Sequence, residues 1–179
     1  MADLTIWDFV LLPIYLFILN MLARYIRKGF EDDPKLVFYF KWGFRFKMFI
    51  AIVFTLITNF YMRGDSIDLY YGEGKNFAEI ITDNSQKIDL LLMQAGDEPN
   101  SLVNSWNKGY LMIESNYMVV KISVILCFLA FKKYMLVNMI CAFMAFLGSW
   151  NLFLFFRKQR PQFEFAFAIA CMGVPTVAF

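Results

Sequence analysis

Arg63-Gly64-Asp65-Ser66-Ile67-Asp68-Leu69-Tyr70-Tyr71 marks the point where an apolar chain turns abruptly polar. It opens a segment, 63–116, of 54 residues carrying nine acidic side chains against four basic ones, a net charge of −5. The flanking sequence is different in kind. Of the 179 residues, 60% are apolar and 20% aromatic, against about 45–50% apolar in ordinary soluble domains. Five apolar runs, 6–25, 48–62, 117–131, 134–156 and 163–179, approach or reach the ~20 residues that cross a hydrocarbon core. The second and third are short and need flanking aromatics or snorkelling lysines to span. The expected fold is an all-α polytopic membrane helical bundle, a single membrane domain over 1–179, with an outer loop that contains amphipathic surface helices.

Charge distribution sets the expected orientation. Residues 24–47 hold seven basic side chains against three acidic, and basic loops stay in the cytoplasm. That places 24–47 inside, 63–116 outside, and the first run as an inward-going span. The first run carries Asp3 and Asp8 where a secretory leader has a basic start. Simple alternation then puts Lys132-Lys133 inside but Arg157-Lys158-Gln159-Arg160 outside. Either the third run does not fully cross, or the last basic cluster is an exception. Run 163–179 ends without a charge or polar anchor, so the expectation is an N-terminal portion of a longer polytopic protein.

There is no histidine, which excludes histidine-based triads and most zinc chemistry. Cys127, Cys141 and Cys171 lie in apolar runs without CxxC spacing and read as small apolar packers. In 36–47, rings (Phe38, Phe40, Trp42, Phe44, Phe46) alternate with Lys41, Arg45 and Lys47. Next to a span this reads as an interfacial segment resting on anionic lipid rather than a nucleic-acid surface. The strict alternation also fits a strand. In the polar segment, 76–94 has an apolar stripe (Phe77, Ile80, Ile81, Ile88, Leu91, Leu92), predicting an amphipathic helix on the membrane surface. A turn at 96–101 and a second short amphipathic stretch complete a lid-like element.

The chemistry must rest on carboxylates, lysine, tyrosine or a metal held by oxygen. Asp65 and Asp68, three residues apart, come shortly after the second span. They suit a general base for a sugar hydroxyl, or, at Asp65, a ligand for Mg²⁺ or Mn²⁺; helix capping is the bland alternative for Asp65. Arg63 is suited to a phosphate oxygen. Tyr70 and Tyr71 either stack on a sugar face or anchor the interface. Glu114 heads the third run, and Lys121 lies about two turns further along. The lysine either snorkels or faces a cavity as an intramembrane cation.

Gly64-Asp65-Ser66-x-x-x-Tyr70-Tyr71 is succeeded by Glu114-Ser115-Asn116-Tyr117-Met118-Val119-Val120-Lys121. Lys133-Tyr134-Met135-Leu136-Val137-Asn138 comes next, then Gly148-Ser149-Trp150-Asn151-Leu152. Ala168-Ile169-Ala170 leads to Gly173-Val174-Pro175. This order resembles polytopic envelope proteins of Bacteroidetes that are similar to C-type glycosyltransferases and O-antigen-polymerase-like enzymes. The resemblance implies an inner-membrane enzyme taking a polyprenyl-phosphate-linked sugar donor and a glycan acceptor at the outer face. It puts Asp65 in the acidic position that activates the acceptor, with Asp68 second. Two amphipathic helices commonly come after that acid in such enzymes. An outward N-terminus departs from their usual start. The rival expectation is a non-enzymatic membrane subunit of a transport or secretion complex, contacting a protein partner through 63–116. No nucleic-acid partner is expected under either.

Overall fold

The computed structural model describes residues 4–61, 66–103 and 109–173. Among them every regular element is helical, with no strand. The expected all-α class therefore stands, and three helices are long and apolar enough to cross a membrane.

Helix α1, Ile6–Arg27, is 22 residues long, about 33 Å at ~1.5 Å per residue. A capping box starts it. The Thr5 amide and hydroxyl both donate to the Asp8 carboxylate, at 2.8 and 2.7 Å, satisfying groups that a helix N-terminus leaves open. The acid that departs from the basic start of a leader is thus a buried structural group.

Helix α2, Pro34–Phe60, has 27 residues, about 40 Å. Pro34 stands at the position where its missing N–H is harmless, and Asp33 accepts from the Lys35 and Leu36 amides. The helix absorbs both the second apolar run and the ring-and-cation stretch before it, so the strand alternative for 36–47 falls. Two periodicities overlap there. Every second residue is aromatic, but the buried positions are Leu36, Phe40, Phe44, Met48 and Ala51, spaced four, four, four and three apart on one helical face. Phe38 and Phe49 stay exposed.

The polar segment begins with a π-helical turn, Ser66–Tyr71, and continues as α3, Gly72–Asp83. The single amphipathic helix expected over 76–94 breaks at Asn84, whose backbone is extended at φ −137° and ψ 98°. The Asn84 side chain accepts from the Gln86 amide, an Asx arrangement that starts a 3-10 stretch, Ser85–Leu91, in place of more α-helix. Short α4, Asp97–Ser101, and a 3-10 turn, Tyr110–Met112, lead into α5, Glu114–Leu129. At 16 residues α5 spans about 24 Å, less than the ~30 Å hydrocarbon core. Helix α6, Tyr134–Gln159, has 26 residues. After a 3-10 turn, Pro161–Phe163, come α7, Glu164–Ala168, and a π-turn, Ile169–Gly173.

The chain divides into two compact units, with boundaries inside α2 and α6. One comprises Thr5–Leu56 and Asn138–Phe179. Its core joins the α2 face to Met139, Phe143, Phe146, Trp150 and Phe153 of α6, with Leu19 and Ala23 of α1. Gly43 admits the C-terminal π-turn, because a Cβ there would lie 2.4 Å from the Met172 sulfur. Asn138 donates to Thr55 at 2.8 Å, and Thr55 to the Ala51 carbonyl. Arg157 meets Asp33 at 2.6 Å and Glu164 at 3.2 Å, fastening the α1–α2 loop to the end of α6 and the start of α7.

The other unit comprises Met1–Leu4 and Ile57–Val137. Here α3 lies so close to α5 that a Cβ on Gly74 would come within 2.6 Å of the Ser123 Cβ. Phe77, Ala78 and Ile81 of α3 are buried with Tyr117, Val120 and Val124 of α5. The apolar stripe expected to rest on lipid is therefore core over its α3 part. Exposed are Ile88, in the 3-10 stretch, and Leu92, just past its end.

Candidate functional site

The residues singled out in the sequence all belong to the 57–137 unit. Arg63 and Asp65, the expected phosphate ligand and principal carboxylate, lie outside the described residues. So does the expectation of Mg²⁺ or Mn²⁺ on Asp65. Among the described residues no three Asp, Glu or Cys side chains gather as a metal would need.

The π-turn sets the directions of the residues after Asp65. Such a turn adds a residue to the helical repeat and shifts where successive side chains point. Ile67, Leu69 and Tyr71 are buried, while Asp68 is exposed and Tyr70 half-buried. Asp68 is thus displayed at the surface directly after the segment that carries Asp65. Tyr71 turns inward. Its hydroxyl donates to the Lys132 carbonyl at 2.8 Å, and its ring packs on Tyr134 at 4.9 Å between centroids. The Tyr134 hydroxyl in turn meets that of Thr58 at 3.2 Å. Of the two readings for Tyr71, sugar platform or interface anchor, neither describes this position; it is a buried strut.

Glu114 and Lys121 converge on one backbone stretch. The Glu114 carboxylate accepts from the Ala95 amide at 2.8 Å. The Lys121 ammonium donates to the Met93 carbonyl and sits 4.4 Å above the Tyr117 ring. The Tyr117 hydroxyl donates to the Leu90 carbonyl. Three α5 residues on one face, Glu114, Tyr117 and Lys121, thus clasp residues 90–95, where the 3-10 stretch ends and no α-helix satisfies the backbone. Lys121 neither snorkels nor waits in an open cavity. Glu114 and Lys121 do belong together, through the segment they both hold rather than through a mutual ion pair.

In the sequence Glu73 contributes only to net charge, yet it is fully buried at the start of α3. Asn76 donates to its carboxylate at 3.3 Å and to the Leu102 carbonyl at 3.0 Å. The signal available was the pair Gly72 and Gly74 around it. Small residues on both sides of an acid mark a close approach by another element. The α5–α6 connection is similarly tied, with the Lys132 ammonium donating to the Thr82 hydroxyl at 3.0 Å. Phe131 and Lys132 both have left-handed backbone, at φ 49° and 58°.

The arrangement places the Asp68 carboxylate at the surface, while Tyr71, Glu73, Glu114, Tyr117 and Lys121 hold the chain itself. No known protein family, no curated protein and no solved structure matches this chain.

Proposed function

We propose that this chain crosses the bacterial inner membrane three times with its segment 61–133, the cap, on the outer side, and that the cap serves sugar transfer from a polyprenyl-phosphate-linked donor to a glycan acceptor. The topology rests on the ion pair of Arg157 with Asp33. Asp33, in the α1–α2 loop, touches Arg157, at the end of α6, so both ends belong on one side of the membrane. Crossing by α1, α2 and α6 alone achieves this. Both basic clusters, 24–47 and 157–160, then lie in the cytoplasm. Lys132, bonded to Thr82, stays with the cap. Helices α2 and α6 extend about 10 Å beyond a ~30 Å hydrocarbon core, and α1 about 3 Å.

The observation that carries the enzymatic reading is Asp68 displayed on a π-turn, a local geometry frequent at functional sites. In that reading an ionised carboxylate from the Asp65–Asp68 stretch takes the proton of the acceptor hydroxyl. The hydroxyl oxygen attacks the anomeric carbon, and the lipid phosphate leaves with the bonding pair. In the same reading Tyr70, two residues on and half-buried, offers a ring to the sugar.

A second reading, the non-enzymatic subunit, is favoured by α5. Its outward face exposes Met118, Ile122, Ile125 and Leu129, an apolar strip suited to a protein partner. One comparison separates the two. With Asp65→Asn and Asp68→Asn in the full-length protein, surface glycan should fall by the ~10²–10⁴ that general-base catalysis contributes, more for Asp65, while membrane insertion is retained. Normal glycan with both changes assigns the cap to the subunit role. Cysteines at Lys35 and Gln159 should label from the same side and one at Ser85 from the other; any other pattern removes the three-span topology.

A further inference from the structure

The α1–α2 end of the 5–56/138–179 unit contains a cavity of about 300 Å³, at the small end of the range for ligand pockets. Its rim carries Arg24 and Arg27 from the last two turns of α1, with Lys41 and Arg45 from α2. Asn20 adds an amide, and Phe40 and Phe44 form the apolar floor. The spacing explains the gathering. Arg24 and Arg27 are three apart and Lys41 and Arg45 four apart, so each pair shares one helical face. The two faces point into the same space.

Four cations around one cavity repel one another, and no carboxylate lines it. The nearest compensation is Glu31, 3.8 Å from Arg27 and more than half exposed. Among the described residues Arg24, Lys41 and Arg45 form no ion pair. The Arg27 Nε–H is buried without a hydrogen-bond partner, a state that costs about as much as a lost hydrogen bond. The end of α1 also presents its negative pole, which suits the arginines but does not neutralise four cations. An anion with several acceptor oxygens meets all these demands together.

What the anion is attached to is indicated next door. Lys41 and Arg45 also line an adjoining groove of about 400 Å³ whose other walls are Phe38, Trp42, Phe46 and Phe49. Phe38 and Phe49 are largely exposed. One pair of cations therefore stands between a polar, arginine-rich cavity and an aromatic trough. We infer that this is a binding site for an anionic lipid, with the phosphate head group held by Arg24, Arg27, Lys41 and Arg45 and the acyl chain lying along Phe38, Trp42, Phe46 and Phe49. Basic pockets between helices at the cytoplasmic side of a bilayer are where such head groups collect. The site is independent of the cap and of any reaction there.

The test uses the full chain in nanodiscs of phosphatidylcholine with a minor fraction of phosphatidylglycerol, then mild extraction and mass spectrometry of retained lipid. The parent should retain phosphatidylglycerol well above its share in the disc. Lys41→Gln with Arg45→Gln changes exposed residues only and should reduce that enrichment about tenfold, the effect of losing one to two charge-assisted contacts. Lys28→Gln with Lys35→Gln removes equal charge outside the cavity and should leave enrichment unchanged. Equal loss in both pairs, or loss in neither, overturns the site. Inorganic phosphate provides the remaining arm. If millimolar phosphate strips the lipid from the parent, the cavity takes a free phosphate and the acyl-chain half of the inference fails; retention upholds it.

Discussion

Phe40, in the unit of long helices, touches three aromatic rings, those of Phe30, Phe146 and Trp150, at 4.9–5.2 Å. Lys121, in the unit of short ones, reaches a backbone carbonyl. The contrast is general. Helices of 22–27 residues satisfy nearly all of their own backbone, so their side chains are free to pack, and aromatic interdigitation holds them. Helices of 5–16 residues with 3-10 and π-turns between them leave many carbonyls and amides open. There the polar side chains are drawn to the chain itself: Tyr71 to Lys132, Asn76 to Leu102, Tyr117 to Leu90, and Asn100 to the Gly109 amide. A tyrosine, lysine or glutamate in such a region is first a substitute for missing secondary structure.

The sharpest way to break this contrast is Phe40→Ala. Removing a fully buried ring that holds three others should destabilise its unit by about 3–5 kcal/mol. Hydrogen exchange should rise along 138–153 while 90–95 keeps its protection. Equal loosening of both stretches would mean that the two units unfold as one.

Lys121→Met tests the other side. It keeps the aliphatic stem and deletes the charged donor, a change of about 1.5–3 kcal/mol. Exchange should rise at 90–95 and stay flat along α2; an unaltered profile would show that the clasp is incidental. Tyr117→Phe should act in the same direction with about 1 kcal/mol, since it removes one neutral donor and preserves the ring. A double variant whose effect falls short of the sum would show that the two side chains hold one segment.

The smallest effect concerns acid. The Arg157 guanidinium, with the Leu36 amide, holds the Asp33 carboxyl below its ordinary range. A depressed carboxylate contributes stability above its unfolded pKa of about 4, and that contribution disappears as pH falls through the lower folded value. The parent should therefore exceed Asp33→Asn in stability at neutral pH, and the gap should close only in the acid range below about 4. A gap that closes near neutrality points to another group.

Long apolar runs make α1 and most of α6 readable directly, because twenty apolar residues leave few alternatives. The start of α2 is not readable in this way, since Phe38, Phe40, Phe44 and Phe46 satisfy a period of two while only Phe40 and Phe44 belong to the buried face. The break at Asn84 is hidden for a related reason. Ile88, Leu91 and Leu92 continue the apolar count beyond it, although a single Asx turn resets the direction. In the site, an exposed Asp68 can be anticipated from its polar neighbourhood. The engagement of Glu114 and Lys121 cannot, because their partners are backbone atoms some twenty to thirty residues earlier, and backbone atoms leave no mark in a residue pattern. Glu73 escapes notice because an acid in an amphipathic helix looks solvent-facing until the glycines around it are considered.

The joint between α5 and α6 admits a stabilising exchange. Two adjacent residues with side chains, Phe131 and Lys132, hold a backbone shape that disfavours such side chains by about 1–2 kcal/mol each. Phe131 is two-thirds exposed, so its ring offers the turn little packing in return. A glycine there would relax the backbone and give up almost no contact, making this the one described position in the cap where discarding a large aromatic should raise stability. Exchange of Phe131 for glycine is therefore a change that the fold of this unit should accept without loss of stability.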